Sequence, residues 1–262
     1  MYDNPRSLLD QITLVHGPHE LLGRHFMKAD AAAREWGLRL RLRSDFDALM
    51  ELNRENRDSW PPLPPICDPK HSDLRSDSAF WLDGLDYRGE TVVTEFARFF
   101  DFKNTNVVDE IRSLRVYYEH PEPHLAAGER VEIDAPAAKV VRGRTMYGGA
   151  IWVRPDWRRN GLTRIISHIC AAYGHTRWNT EFTWGFMEPR MHARGLSRAY
   201  GPHAAAEGLL VRLPFRGDLP TVLLWMTTEA LLKDLAASVE ATMIPSERYA
   251  HQETVAARGA PR

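Results

Sequence analysis

The chain has 262 residues, of which 44% are hydrophobic and 26% are charged, which is typical of a folded globular protein and unlike a disordered chain. Its formal net charge is −1 at pH 7, so any anion must be bound by locally placed arginines rather than by the overall field. It has neither the ~18 consecutive apolar residues of a membrane span nor the basic start and apolar run of a signal peptide. We expect a cytoplasmic protein that binds neither membranes nor nucleic acid.

The first 36 residues predict two helices, because apolar residues recur there every three or four positions and the pattern breaks at Gly17-Pro18. We interpret residues 1–36 as an N-terminal helical extension. Residues 38–43, LRLRLR, alternate with period two and predict a strand. Its leucines would lie on the covered face. The other face would present Arg39, Arg41 and Arg43 to solvent or to an acidic substrate.

The next segments are a helix, a loop and a hairpin. Ser44 is placed to cap a helix that runs to about Arg57, with Asp47 in the capping-box position. The proline-rich residues 60–69 exclude regular structure and predict a loop packed within the chain, although their PxxP spacing also resembles ligands of SH3 domains. Two β-rich runs around DYRGE then predict an antiparallel hairpin.

Helical and strand-like patterns alternate through the rest of the chain. The predicted elements are a helix over 106–120, a proline-bearing connector, a strand ending at Val153, a helix from Leu162 to about Gly174, a strand over 181–187, a short helix over 190–201, two strands around RGDL, a helix over 229–242 and a loose polar tail. This order predicts a mixed α/β domain with a central sheet over residues 37–228, followed by a C-terminal helix and flexible tail over 229–262.

Several kinds of site are absent from the sequence. Cys67 and Cys170 lie far apart without metal-ligand spacing, and the histidines are scattered without an HExxH pattern, so we expect neither a disulfide framework nor a metal. No P-loop lysine and no GxGxxG is present, which disfavours an ATPase or a dinucleotide fold.

The stretch WVRPDWRRNGLTRIISHI, residues 152–169, predicts a phosphate-binding turn. It places Gly161 directly before an apolar helix, whose first amides have no intrahelical partner and carry the positive end of the helix dipole. The flanking Arg158, Arg159 and Arg164 could pair with phosphate oxygens. A basic loop before a core helix, with no ligand, is the alternative.

These residues resemble the cofactor signature of the GNAT superfamily of N-acetyltransferases, V-x-P-x-x-[RQ]-x-x-G-x-[GA]. Val153, Pro155, Arg158 and Gly161 match it, and Thr163 stands where the family has Gly or Ala. The resemblance implies a GNAT-like acyl-CoA acyltransferase fold, with a central, mostly antiparallel twisted sheet flanked by helices. Gly148-Gly149 inside the preceding strand is consistent with the family's bulged fourth strand, since glycine in a strand marks a bulge or a close approach.

The same resemblance implies a set of cofactor-binding residues. Backbone groups of Ile151 and Val153 would meet the pantetheine arm. The turn would hold the pyrophosphate of acetyl-CoA or another acyl-CoA through Arg158, Arg159, Asn160, Gly161, Leu162, Thr163 and Arg164.

Catalytic residues are implied less directly. Tyr200 in SRAYG stands where the family has a tyrosine that protonates the leaving thiolate, and a phenol can act as that acid. An amine must be neutral to attack a thioester, so a base is required. Glu188, after the strand over 181–187, and Glu95, in the second strand of the hairpin, are the candidates.

We therefore expect an N-acyltransferase that moves an acetyl group from acetyl-CoA to an amine of a small molecule or protein, by direct attack in a ternary complex. The sequence is also compatible with a homodimer. Two alternatives remain: a longer-chain N-acyl-amino-acid or acyl-homoserine-lactone type synthase, and a non-catalytic module that senses acyl-CoA or binds a protein.

Overall fold

The computed structural model describes residues 7–213 and 217–241. Its helices are α1 Leu8–Gln11, α2 His19–Glu35, α3 Phe46–Glu55, α4 Val107–Arg112, α5 Glu122–Ala126, α6 Leu162–Trp178, α7 Pro189–Ala193 and α8 Thr228–Glu240. Its strands are β1 Arg39–Arg43, β2 Ala79–Leu85, β3 Thr91–Phe102, β4 Arg130–Glu132, β5 Gly143–Val153, β6 Phe182–Met187, β7 Ala204–Leu213 and β8 Gly217–Thr227. The predicted loose tail, which follows the C-terminal helix, lies outside the described residues.

The eight strands form one sheet in the order β1-β2-β3-β5-β6-β8-β7-β4. Every neighbouring pair is antiparallel except β5 and β6, which are parallel and joined by α6. The predicted mixed α/β class, with a mostly antiparallel sheet flanked by helices, is confirmed. The predicted strands at 38–43, 79–85, 90–102, 145–153 and 181–187 are confirmed as well.

A hydrophobic core covers each face of the sheet. On one face, Phe26 of α2 and Ile166 of α6 pack with apolar side chains from β1, β2 and β3. On the other face, Leu49 of α3, the loop around Ile66 and Ile111 of α4 pack over Trp81 and its neighbours. The Pro-rich segment is thus an internal packing loop, as predicted, with Trp60, Leu63 and Ile66 buried.

The two predicted N-terminal helices are present and contribute to the core. Leu8 of α1 and Leu22 of α2 are fully buried, and α2 packs against α6 and α8. The division of the chain into an extension, a central domain and a C-terminal segment stays a prediction. None of the described helices is long and apolar enough to cross a membrane.

The arginines of β1 differ from the prediction of a solvated face. Arg39 is exposed, but Arg41 and Arg43 both form ion pairs with Asp83, whose side chain is completely buried. Arg41 Nε donates to Asp83 Oδ2 at 2.8 Å. Because an unpaired buried carboxylate would be costly, these two arginines compensate the charge of the Asp83 carboxylate on β2 rather than that of a substrate.

Three helix boundaries also differ from the sequence prediction. Asp45, not Ser44, is the N-cap of α3, which ends at Glu55 rather than Arg57. The helix predicted over 106–120 ends at Arg112, and the chain then turns at Leu114, whose φ is 63°. The segment predicted as a connector contains α5 and the short edge strand β4. Strand β4 gives little sequence signal, because Val131 alternates with exposed neighbours over only three residues.

Helix α6 continues past its predicted end at Gly174 to Trp178. It ends at Asn179, which adopts the left-handed conformation (φ 51°) that favours Asn or Gly at a helix C-terminus. Gly174 lies inside the helix because β5 passes close by: a Cβ there would be 2.1 Å from Met146 Sδ. The predicted short helix over 190–201 is two segments, α7 and a 3-10 turn over Leu196–Tyr200, separated by Gly195 at φ 76°.

The buried imidazole of His25 on α2 is expected to limit stability in acid. Burial, reinforced by the nearby His168, lowers the pKa of His25 to about 4, and its Nε2 has no hydrogen-bond partner in the described part of the chain. When the pKa of a group is lower in the folded state than in the unfolded state, the group contributes its full stability above the unfolded pKa. For His25 that value is about 6.5, and the contribution to folding stability is lost as the pH falls towards about 4. We expect His25 to contribute about 3 kcal/mol to the loss of unfolding free energy over this range.

Urea unfolding at pH 7 and pH 4.5 measures this loss. His25→Leu should flatten the acid side of the stability profile, whereas His19→Leu, an exposed position on the same helix, should leave its slope unchanged. Equal slopes for the two variants would show that His25 is not the group responsible.

Candidate active site

The turn before α6 has the geometry of an anion-binding nest. Gly161 is the N-cap of the helix with φ 83°, and Arg159 also has a positive φ of 70°. A Cβ at Gly161 would meet no atom within 4 Å, so this glycine faces open space rather than a packed wall. Alternating conformations of this kind direct successive backbone N–H groups into one concavity.

Most amides in this nest are unused by the protein. Asn160 Oδ1 accepts a hydrogen bond from the amide of Leu162 at 3.3 Å. The amides of Arg159, Asn160, Gly161 and Thr163 have no acceptor within the described residues. Free amides at the positive end of a seventeen-residue helix are the kind of group that can bind phosphate oxygens.

The three arginines predicted to surround a phosphate have different partners. Arg158 Nε donates to the carbonyl oxygen of Val153 at 2.9 Å, and its Nη2 donates to that of Ser59 at 3.1 Å. Arg164 Nη2 contacts both carboxylate oxygens of Asp234 at 3.1 Å. Arg159 is exposed and has no partner within the described residues, so it is the arginine available to an anion at the turn.

Strand β5 is bulged directly upstream of this turn. Thr94 of β3 pairs with Trp152, yet Phe96, two residues on, pairs with Gly149, so β5 has one residue more than β3 here. Ala150, within the bulge, has a φ of 53°. A bulge bends its strand and leaves backbone groups outside the ladder, as the paired glycines predicted.

Strands β5 and β6 pair over a short stretch and then separate. Their parallel ladder covers Thr145 to Tyr147 and Phe182 to Trp184 only, although β5 runs on to Val153 and β6 to Met187. Gly185, next to the last paired residue of β6, still lies against β5, since a Cβ there would be 2.4 Å from the carbonyl oxygen of Gly148. The sheet therefore opens at its centre, next to the bulge.

A cavity lies on each side of this opening. One, of about 50 Å³, lies on the α6 side and is lined by Glu95, Met146 and Ser167 among others. The other, of about 290 Å³, lies on the side of the Pro-rich loop. Four residues line both cavities and define what we call the window: Gly148, Phe186, Met187 and Tyr200.

The predicted catalytic residues Tyr200 and Glu188 both lie at the larger cavity. Tyr200 belongs to the window, and burial, with a smaller contribution from Glu95, raises the pKa of its phenol above the usual value. The phenol is therefore protonated at neutral pH and is able to donate. Glu188 is exposed at the start of α7, and its side chain could accept a proton and pass it to solvent.

Glu95, the other carboxyl predicted as a base, lies behind the window on β3. It is only 4% exposed, and its Oε2 lacks a hydrogen-bond partner in the described part of the chain. Burial raises the pKa of Glu95 to about 8, and the Ser167 hydroxyl opposes this shift. Glu95 is thus mostly protonated at neutral pH, where it is a poor base.

The remaining predicted positions lie around the opening. Ile151 lines the larger cavity, and the Val153 carbonyl is already occupied by Arg158. Leu162 is buried in the core below the helix, and Thr163 is half-buried in the first helical turn with its amide free. No group of three or more possible metal ligands occurs in the ranges that the structure describes.

Sequence reasoning missed the residues that fix this site from other parts of the chain. His168 Nε2 lies 2.7 Å from Asp234 Oδ2, and Asp234 also holds Arg164, so α8 anchors α6. Tyr117 and Tyr147 also line the larger cavity. Tyr147 directly precedes the paired glycines of β5, which was the available sequence signal for it, whereas Tyr117 lies near no motif.

Comparisons with known proteins gave matches only among solved structures. No family model matches the chain, and no curated protein matches it. NAA60 of Arabidopsis thaliana in complex with acetyl-CoA aligns at 11% identity over 73% of this chain and 99% of that one, with a TM-score of 0.46. The aminoglycoside acetyltransferase AAC(6')-Ib with acetyl-CoA aligns at 16% identity over 74% and 95%, with a TM-score of 0.41.

A chimera of the spermidine N-acetyltransferase SpeG of Vibrio cholerae and hSSAT also aligns, at 13% identity over 74% of this chain and 98% of that one, with a TM-score of 0.41.

Proposed function

We propose that the chain is a GNAT-type, acyl-CoA-dependent N-acyltransferase that moves an acetyl group to an amine. The observation that carries the proposal is the combination of a nest of free amides at the start of α6 with a bulged β5 that separates from β6 at its glycines. A coenzyme A molecule needs an anion site for its diphosphate and an extended backbone edge for its amide-bearing pantetheine arm. Strand β5 supplies the backbone edge, and the turn that follows it in the chain supplies the anion site.

The residues present fit this co-substrate. The amides of Arg159, Asn160, Gly161 and Thr163 and the side chain of Arg159 would hold the diphosphate. Arg158 and Arg164 would shape the turn through Val153, Ser59 and Asp234 rather than contact the ligand. Backbone groups of β5 near Ile151 would bind the pantetheine arm, and the thioester supplied by the bound acyl-CoA would lie at the window.

The chain's own residues account for the proton movements of the transfer. A neutral amine nitrogen in the larger cavity forms the C–N bond as the C–S bond breaks. The amine proton passes to the Glu188 carboxylate at the cavity mouth, directly or through water, and Tyr200 donates its proton to the departing thiolate. Glu188 then releases its proton to solvent and the Tyr200 phenolate takes one up, which restores both groups. Because nitrogen attacks the thioester directly, both substrates are bound at once.

Substitution of Gly161 tests the proposed diphosphate site. Gly161→Glu places a bulky negative charge over the free amides and should weaken acetyl-CoA binding about thirtyfold or more, measured by isothermal titration calorimetry. Gly128→Glu is the matched control, since Gly128 also has a positive φ (89°) and open space around its Cβ. The control carries the same backbone strain and added charge, and it should bind like the unsubstituted protein.

The transfer itself is measured separately, as release of free thiol from acetyl-CoA in the presence of amines. Binding without amine-dependent thiol release would favour an acyl-CoA sensor over an enzyme. Equal affinity of the two glutamate variants would place the diphosphate elsewhere and overturn the assignment of the nest.

A further inference from the structure

The larger cavity, on the side of the Pro-rich loop, has an unusually apolar and aromatic wall. The loop contributes Trp60 and Leu63, the sheet contributes Tyr147, Phe186 and Leu219, and Tyr117 follows α4. At about 290 Å³, the cavity is near the lower end of the range for small-molecule sites. It fits a compact ligand with one ring better than an extended one.

Charge is scarce around this cavity. Among the described residues that line it, Glu188 is the only one with an ionisable acidic or basic group other than tyrosine. A ligand with several ammonium groups needs several carboxylates or carbonyl acceptors to replace its hydration, and this wall provides a single carboxyl group at the mouth. A ligand with one ammonium group matches it.

The wall is held in place before any ligand arrives. Trp60 stacks on Trp152 with ring centroids 5.3 Å apart, and the Trp152 indole donates to Ser59 Oγ at 3.0 Å. Asn53 pins the loop, since its Nδ2 donates to the Pro61 carbonyl at 3.0 Å and its Oδ1 accepts from the amide of Leu63 at 3.2 Å. A rigid aromatic wall reduces the entropic cost of ordering the site around a flat ligand.

Building on the acyl transfer proposed above, we propose that the acceptor is a small primary aralkylamine, with an aromatic ring on a short chain ending in one amino group. The ring packs between the Pro-rich loop and the Tyr117–Phe186 stack, whose rings lie nearly parallel at 9°. The amino group points to the window. Entry into the apolar cavity disfavours the ammonium form and so promotes loss of the proton that attack on the thioester requires.

Acceptor preference is measured as kcat/KM for acetyl transfer to 2-phenylethylamine, ethylamine and spermidine. Burial of the ring should make 2-phenylethylamine about a hundredfold better than ethylamine, and it should also exceed spermidine. A higher kcat/KM for spermidine than for 2-phenylethylamine would overturn the inference while leaving the acyltransferase proposal intact.

Leu219→Asp introduces a second carboxylate into the half-buried wall on β8. It should lower kcat/KM for 2-phenylethylamine at least tenfold without changing the acetyl-CoA dissociation constant. Leu125→Asp is the control, because Leu125 is exposed and does not line the cavity. Equal effects of the two variants on 2-phenylethylamine would contradict the assigned binding site.

Calorimetric binding of 2-phenylethylamine separates failure of this inference from failure of the proposed function. Saturable binding that Leu219→Asp weakens, with no acetyl transfer to any amine, would uphold the aromatic site and reject the enzyme. Transfer to other amines without binding of 2-phenylethylamine would reject the aromatic site only.

Discussion

Tyr200→Phe is expected to lower kcat for acetyl transfer by about two to three orders of magnitude at pH 7, with the acetyl-CoA dissociation constant unchanged within about twofold. The phenol lies at the window and is protonated at neutral pH, so its hydroxyl can donate a proton to a departing thiolate. Phenylalanine retains the packing of the ring against Met187, Val222 and Leu224 and removes only the donor. Steady-state kinetics combined with calorimetry measures both quantities.

A catalytic acid can be distinguished from a structural tyrosine by changing the leaving group. When the acetyl donor is a thioester of an arylthiol, the leaving group is a weakly basic arylthiolate that departs without being protonated. The ratio of the wild-type rate to the Tyr200→Phe rate should therefore shrink towards one with this substrate. Tyr87→Phe, at a strongly exposed position, provides the control. An unchanged kcat in Tyr200→Phe would remove Tyr200 from the mechanism and direct attention to a solvent-derived proton.

Glu95→Gln is expected to remove a large pH dependence of stability. The pKa of Glu95 is raised by burial from 4.5 to about 8 in the folded chain. A group with a raised folded-state pKa contributes stability that is fully present below the unfolded pKa and is lost as pH rises through the folded value. The free energy of unfolding of the wild type should therefore fall by about 4 kcal/mol between pH 4.5 and pH 8 through this group.

Chemical unfolding across this pH range provides the measurement. The ionisable groups that interact with Glu95 include Cys170 from α6, Tyr147 from β5 and Tyr200 in the window. These remain in the Gln variant, so the difference between the two profiles isolates Glu95. Glu90→Gln, an exposed change in the turn before β3, should preserve the wild-type slope. If Glu95→Gln kept the slope as well, Glu95 would have to be ionised in the folded chain.

Local patterns in the sequence predicted the elements that build the site. Alternation placed β1 and β6, and β-rich runs around a turn placed β2 and β3. The paired glycines predicted the bulge in β5, because a strand seldom tolerates two of them without a geometric reason. The turn at Gly161 was predicted from the glycine that directly precedes an apolar helix, whose first amides have no intrahelical partner.

What the sequence could not supply were partners from distant segments. Arg41 and Arg43 looked solvated because nothing near them identifies Asp83 as a buried acid, and Arg158 and Arg164 looked free because Ser59 and Asp234 are remote in sequence. Helix α4 was predicted too long because the positive φ of Leu114 depends on tertiary packing and overrides a continuing apolar period. The protonation of Glu95 depends on burial under α6, which the sequence of β3 does not reveal.

The short parallel ladder between β5 and β6 divides the sheet into two leaves of four strands, joined by three residue pairs and by α6. We expect the two leaves to move relative to each other along this seam, since within each leaf every ladder except that of the edge pair β7 and β4 is longer. An extended ligand that hydrogen-bonds to the free edge of β5 would take the place of a strand between β5 and β6 and would restrict the relative motion of the two leaves. Binding should therefore slow amide hydrogen exchange along β5 and β6 and also in strands that never touch the ligand.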